Sequence, residues 1–376
     1  GMGVGAPTAP ALIAGVDADS LGDVTALSPQ QLFALCRDQH GCRALQRVVD
    51  DGGDATHAHL LHALLSHFVM LMRDPFANYL CQKLIERCDD AQRQLVLRAV
   101  APHLADIATD AHGTRAVQKL VAHVRTADDV ALVRAALQHS VLALVRDSNA
   151  NHVIQRCLSC LAPDDCAFIY RAVCTPSTSL LAIATHRHGC CVLQRCIDSA
   201  VSEQRSELIA AVLAHALPLV QDAYGNYVVQ YVLDLRMPAL IDDVAAALRT
   251  HIAVLSVQKF SSNVVEKLLR AAAPHTRAVL LAELMDADTL VRLLQDPYGN
   301  YVVQTALAVS NAQQRADLIA ALQPHLETLR NTPYAKRVFA KCRLVVDGAH
   351  VTDNALPHAL GSLGDGGGGG GGGGGG

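Results

Sequence analysis

The segment Asp296-Pro297-Tyr298-Gly299-Asn300-Tyr301-Val302-Val303-Gln304 returns in altered form along most of the chain, and this recurrence limits the possible folds more than any other feature. Its core is a trio: a small or amide residue, a flat or basic residue beside it, and Gln or Glu three positions further on. The trios are Cys42, Arg43 and Gln46; Asn78, Tyr79 and Gln82; Thr114, Arg115 and Gln118; Asn151, His152 and Gln155; Cys190, Cys191 and Gln194; Asn226, Tyr227 and Gln230; Ser262, Asn263 and Glu266; and Asn300, Tyr301 and Gln304. Successive first positions are 36, 36, 37, 39, 36, 36 and 38 residues apart. A period of that size implies a solenoid, one supersecondary unit stacked on copies of itself, whose core grows lengthwise.

That architecture changes what length and composition mean. The 376 residues are expected to form one elongated domain rather than two or three globular ones. With 51% hydrophobic and 18% charged residues the chain has ample material for a core, which excludes disorder over most of its length. A net charge of -4 and a pI near 6.5 argue against indiscriminate coating of nucleic acid, but leave room for a local basic surface. Twelve cysteines without a leader or a framework spacing fit thiols of a reducing compartment. The longest apolar run, Leu60 to Met72, holds His62, Ser66 and His67 and is shorter than the roughly 18 residues a membrane span requires. A soluble, cytoplasmic monomer with no membrane association is expected.

Each unit reads as helical throughout. Between Ser202 and Leu235, a helix from Ser202 to Ala216 places Leu208, Ile209, Val212, Leu213 and Ala216 on one face. A short stretch, Pro218 to Gln221, leads to Asp222, a good N-cap, and a second helix running to about Leu235. In Asp74-Pro75 and Asp296-Pro297 the cap is followed by Pro, which suits a first helical position. At roughly 100° per residue, Gln230 lies about 40° and Tyr227 about 100° from Asn226, while Val228, Val229, Val232 and Leu233 take the opposite arc. The aliphatic arc is then core and the whole trio faces outward, so that stacking sets eight trios in a row.

The ends differ. Residues 1–26 read as a flexible arm or partial cap, and Ser28-Pro29 opens the first regular helix. Tyr334 to Lys341 keeps the register of the units, with Lys336 standing 36 residues after Asn300, but Ala340 replaces the Gln, as a terminal cap should. Residues 348–376 turn to Gly, ending in eleven consecutive glycines, and read as a disordered tail.

Two amides one helical turn apart, beside a flat side chain, can meet the edge and the face of a nucleic-acid base. Uracil suits two amides, guanine suits a carboxylate such as Glu266, and adenine suits Gln opposite a small, weakly polar residue. The segments NYLCQK, NHVIQRC, NYVVQY, SNVVEK and NYVVQ, in that order, resemble repeats of the Pumilio-type (PUF) RNA-binding proteins. Asp38 to Arg43 resembles the opening of their first repeat, and Tyr334 to Lys341 the segment after their eighth. The resemblance covers about residues 27 to 346. It implies a right-handed α-solenoid crescent of eight roughly 36-residue repeats with terminal caps, a Pumilio homology domain over residues 27–347, and no enzymatic activity.

The resemblance also implies single-stranded RNA laid antiparallel along a concave face, one base per repeat, with repeat eight taking the 5′ base. The base-edge readers would then be Asn300 and Gln304 for uracil, Ser262 and Glu266 for guanine, Asn226 and Gln230 for uracil, and Cys190 and Gln194 for adenine. Asn151 and Gln155 would take uracil, Thr114 and Gln118 adenine, Asn78 and Gln82 uracil, and Cys42 and Gln46 adenine, giving 5′-UGUAUAUA-3′. Arg43, Tyr79, Arg115, His152, Tyr227, Asn263 and Tyr301 would stack on bases. Two residues depart from the pattern: Cys191 stands where a stacking Arg is usual, and Thr114 where Cys or Ser is. Partners implied are messenger-RNA 3′ untranslated regions and deadenylase or other repressor proteins on the convex face.

Six readers are followed at once by a base (Arg47, Lys83, Lys119, Arg156, Arg195 and Lys267), which either supplies a positive field or forms a solvated helix edge. Cys157 and Cys160 have the spacing of a metal or redox pair, but no second pair accompanies them. His57, His59 and His62 read as scattered surface histidines. No cofactor, metal or catalytic constellation is expected. A protein-binding scaffold of HEAT or armadillo type would explain the unit length but not the trios. A nucleolar ribosome-assembly factor of the same fold would show degenerate trios and more basic charge.

Overall fold

The structure, a computed structural model, describes residues 23–174, 180–329 and 331–346. It is an all-α solenoid, with no strand among the described residues. The trio-bearing helices are α1 (Gln39–Asp51), α2 (Ala77–Arg87), α3 (Gly113–Ala122), α4 (Asn151–Cys160), α5 (Gly189–Ser199), α6 (Gly225–Asp234), α7 (Ser261–Ala271) and α8 (Gly299–Val309), and α9 (Ala335–Val346) follows them. Each packs on the next from α1 to α9, forming one layer. The helices that open the units, such as Asp90–Val100 and Ala127–Leu137, stack into a second layer behind it.

Between the layers lies an element that the sequence reading gave only as a short stretch. Pro218 to Gln221 belongs to a six-residue helix, Ala216–Gln221, and the same short helix recurs as Leu104–Thr109, Val141–Arg146 and Phe68–Arg73. A unit is therefore three helices, and α6 starts at Gly225 rather than directly after Asp222. Asp222 still terminates the intervening turn, accepting hydrogen bonds from the amides of Tyr224 and Gly225, each at 2.8 Å. Gly225 packs so closely on the short helix that an added Cβ would stand 2.8 Å from the Leu219 carbonyl oxygen. In α7 the equivalent position is Ser261, whose hydroxyl donates to the matching carbonyl of Leu255 at 2.7 Å.

The apolar faces merge into one core running from Val24 to Cys342. In the third unit Val96, Leu97, Val100, Ile107, Ala116, Val117 and Leu120 are fully buried. Each large aliphatic side chain so buried contributes about 1.5 to 3 kcal/mol. The outer layer adds a buried ion pair, Arg93 Nε to Asp129 Oδ2 at 2.7 Å, joining two consecutive opening helices.

At the amino end Ser28 caps the helix Pro29–Cys36 in a capping box with Gln31, as Ser28-Pro29 suggested. Most of the proposed arm, residues 1–22, and the Gly-rich tail of 348–376 lie outside the described residues. Within the remainder of the arm, Asp23 caps a short 3-10 helix and Val24 is buried. His57 corrects the sequence reading. It is buried, not on the surface, with Nε2 2.9 Å from the Leu84 carbonyl oxygen, where a ring nitrogen satisfies a helical carbonyl that packing has closed to water. His59 is half-buried and His62 exposed. Cys157 is buried in the core and Cys160 exposed. Among the described residues no helix is long and apolar enough to cross a membrane, and no three His, Cys, Asp or Glu side chains are placed to hold a metal ion.

Candidate nucleic-acid interface

The trios occupy the first two turns of α1 to α8, each helix positioned by the turn before it. In five units that turn carries an Asp four residues ahead of the first trio position that accepts two backbone amides: Asp74, Asp110, Asp147, Asp222 and Asp296. Asp38 does the same for α1. Ahead of α5 the residue is His186, whose Nδ1 takes the amides of His188 and Gly189 at 3.3 and 3.4 Å. An acceptor there requires a neutral ring. Burial, helped by Arg146 and Arg187, holds the His186 pKa below its ordinary value.

The structure divides the trio where the helical wheel did not. The second positions face solvent as expected: Arg43, Arg115, His152 and Asn263 are exposed, Tyr79 and Tyr227 largely so, and Tyr301 half-buried. Cys191 is half-buried, its Sγ 3.9 Å from that of Cys190. The first positions, read as facing outward, are instead buried: Cys42, Asn78, Thr114, Asn151, Cys190, Asn226, Ser262 and Asn300. A wheel gives direction about one helix axis. It does not show that the first turn is enclosed by the preceding loop and the neighbouring trio helix.

Burial is tolerated because these side chains find partners. Asn226 Nδ2 donates to the carbonyls of Asp222 and Ala223 at 2.8 and 3.0 Å, and Asn78, Asn151 and Asn300 repeat the arrangement. Only the NH2 end of an amide can face two carbonyls, so the oxygen points along the helix. There it accepts Nε2 of the Gln one turn later: Gln82 at 3.1 Å, Gln155 at 2.9 Å, Gln230 at 2.8 Å and Gln304 at 3.0 Å. Thr114 Oγ1 holds Gln118 at 3.1 Å and Cys42 Sγ holds Gln46 at 3.3 Å. Both also donate to a carbonyl of the next unit, Thr114 to Asn149 and Cys42 to Phe76.

In the RNA-free chain the first position thus acts as a strut for the residue one turn later. It fixes a half-buried Gln whose oxygen and remaining N–H stay available. One acceptor beside one donor can meet either the uracil or the adenine edge. In the seventh unit the reader is a carboxylate held differently. Glu266 Oε2 accepts from Thr305 Oγ1 of α8 at 2.6 Å and from Arg270 Nη2 at 3.3 Å. Burial raises the Glu266 pKa above the ordinary carboxylate value, while Thr305, Arg270 and Lys341 pull it back.

Two further sets of residues were missed in the sequence. Lys83, Lys119 and Lys267 do not simply line the row with positive charge. They pair with Asp50, Glu86 and Asp234 of the preceding unit, Lys83 at 2.6 Å and Lys267 at 2.5 Å. Tyr231 reaches Asp198 in the same way, and Arg195 lies 3.6 Å from Asp198 within its own helix. The signal was present as an acidic residue eight positions after the first trio residue. Arg337 stands 36 residues after Tyr301, and its Nη1 donates to the Tyr301 hydroxyl at 3.1 Å, as Arg115 does to Tyr79 at 3.4 Å. The cap therefore continues the exposed second-position row while losing the reader.

Known proteins resemble this chain in sequence and fold. A family model described as the NOP9-like PUF repeat domain matches residues 96–350, and the Pumilio-family RNA binding repeat matches residues 31–65 and 67–101. The putative chloroplastic pumilio homolog 7 of Arabidopsis thaliana is 44% identical over 82% of this chain and 47% of its own length. A Pumilio domain-containing protein of Schizosaccharomyces pombe is 41% identical over 84% of this chain and 46% of its own. The chain spans about half the length of these curated relatives. Among solved structures, the Puf4 RNA binding domain bound to an HO endonuclease RNA 3′ UTR recognition sequence is 38% identical with a TM-score of 0.77, covering 82% of this chain and 97% of that one. The RNA-binding domain of yeast Puf5p bound to MFA2 RNA is 26% identical with a TM-score of 0.74, covering 86% and 99%. On its sequence and on its fold, the chain belongs to the Pumilio (PUF) family of RNA-binding repeats.

Proposed function

We propose that the chain binds single-stranded RNA antiparallel to itself, one base per unit, with 5′-UGUAUAUA-3′ as its preferred site. The observation that carries this reading is the tethered reader: in six units a buried strut holds Gln Nε2 and leaves the rest of the amide beside a second-position residue that is exposed in five of them and half-buried in the eighth. An amide fixed in advance loses little freedom on meeting a base, which favours selectivity. The seventh unit supplies an acceptor-only carboxylate, the group that guanine's two donors require. In the fifth unit Cys191 offers a smaller contact than a flat side chain, and base stacking is worth roughly 1 to 3 kcal/mol, so the bases on either side are held less firmly.

The expected targets are 3′ untranslated regions of messenger RNAs in the cytoplasm, and the expected outcome is lower translation or faster decay through deadenylase or other repressor proteins recruited to the opposite face. Both solved relatives carry RNA, one of them a 3′ UTR recognition sequence, which supports the direction of this reading. The NOP9-like match favours a second reading, a nucleolar factor in ribosome assembly. The complete trios and the net charge of -4 weigh against it. Binding to UGUAUAUA against the same oligomer with UGU changed to ACA tests the sequence preference. Imaging of the tagged chain separates cytoplasmic from nucleolar roles.

A further inference from the structure

We propose that Thr305 is a positioning residue for Glu266, so that the choice of the second base is made by two units together rather than by the seventh alone. The inference rests on the reading of the trio row given above and names a residue that the row does not contain.

At four other joints the residue after the reader ties two units together. Lys83, Lys119, Tyr231 and Lys267 each reach back to an acid eight places along the preceding trio. At the joint between α7 and α8 that acid is replaced by Arg270, and a lysine facing it would be repelled. Thr305 stands there instead. Arg270 Nη2 donates to Thr305 Oγ1 at 3.1 Å and to Glu266 Oε2 at 3.3 Å, and Thr305 Oγ1 donates to the same Oε2 at 2.6 Å. The three groups close a triangle on one carboxylate oxygen.

The triangle has chemical consequences. The Glu266 side chain is only 16% exposed, and a carboxylate so placed takes up a proton or swings outward unless hydrogen bonds favour its charged form. Two donors on Oε2 fix the orientation of the group. Guanine presents two N–H donors side by side, so it needs the ionised carboxylate in a set orientation. Thr305 is itself 3% exposed, which places its hydroxyl out of reach of RNA. The charged groups acting on Glu266 are Arg270 from its own helix and Lys341 from α9.

Thr305→Val keeps the branched shape and removes the donor. Loss of a hydrogen bond to a charged group predicts that preference for UGUAUAUA over UUUAUAUA falls about tenfold, with affinity for UUUAUAUA unchanged. Thr305→Ser should restore the preference. The pH at which guanine preference fades on acidification should be higher in Thr305→Val than in the unchanged chain. Equal weakening for both RNAs, or an undiminished guanine preference, would overturn the inference and leave Thr305 a packing residue. A chain that prefers no base at that position even unchanged would overturn the reading of the row itself, a distinct result.

Discussion

In unit six the reader is secured from within: Asn226 is tied to the loop behind it and holds Gln230 from the same helix. In unit seven Ser262 makes only a long 3.4 Å contact to the Lys259 carbonyl, and Glu266 is held from α8. The difference follows from charge. A neutral amide needs only orientation, which a strut one turn away supplies. A half-buried carboxylate needs donors that keep it ionised, and its own helix offers Arg270 but no strut, so the neighbouring unit completes the set. In the proposed reading, one unit suffices to hold an amide reader, whereas the carboxylate reader is held by two.

The largest expected effect comes from making unit seven resemble unit six. Ser262→Asn with Glu266→Gln should move the second-base preference from guanine to uracil by about tenfold or more, since acceptors facing guanine's donors are exchanged for an amide. Competition binding with UGUAUAUA and UUUAUAUA reads the change, and a retained guanine preference would remove the role given to unit seven. A smaller effect separates the struts. Asn226→Ala removes the side-chain bonds to the Asp222 and Ala223 carbonyls and to the Gln230 amide, so it should lower stability by about 1 to 3 kcal/mol. Ser262→Ala loses one long contact and should cost about 0.5 kcal/mol or less. Chemical denaturation of both variants would show whether the two units differ in this way.

The turn ahead of the helix extends the comparison one unit back, with the smallest effect. Asp222 accepts its two amides through a carboxyl oxygen, whereas His186 Nδ1 accepts only while the ring is neutral. Because the folded chain holds the His186 pKa below its ordinary value, the folded state takes up this proton less readily than the unfolded chain. Its contribution is complete above about pH 6.5 and is lost as pH falls through the folded value. His186→Asp should therefore stabilise the chain at pH 5.5 by about 1 kcal/mol or less, the worth of a cap, and reduce the difference between thermal midpoints at pH 7.5 and 5.5. An unchanged difference would remove His186 from that role.

Much of this was legible in the sequence because a repeat reports the same physics many times. The period located the units, the aliphatic arc of residues such as Val228, Val229 and Val232 located the core, and the second positions were correctly placed outside. What escaped depends on two elements at once. The burial of Asn226 is set by the loop behind it and the helix beside it, neither of which enters a wheel. The short helix Ala216–Gln221 is too brief to show a period, and Pro218 within it suggests a break. Lys83 and Asp50 are 33 residues apart and become partners only when α1 and α2 pack. Thr305 carries no signal of its own, because its meaning comes from Arg270 standing where units one, two, five and six carry an acid.

The central claim is that fixed side chains on consecutive helices select bases, and the binding ratio of the unchanged chain for UGUAUAUA over ACAAUAUA tests it most directly. Three mismatched bases at roughly 1 kcal/mol each predict a preference of about a hundredfold. A ratio below about tenfold, at any salt concentration that permits binding, would contradict it.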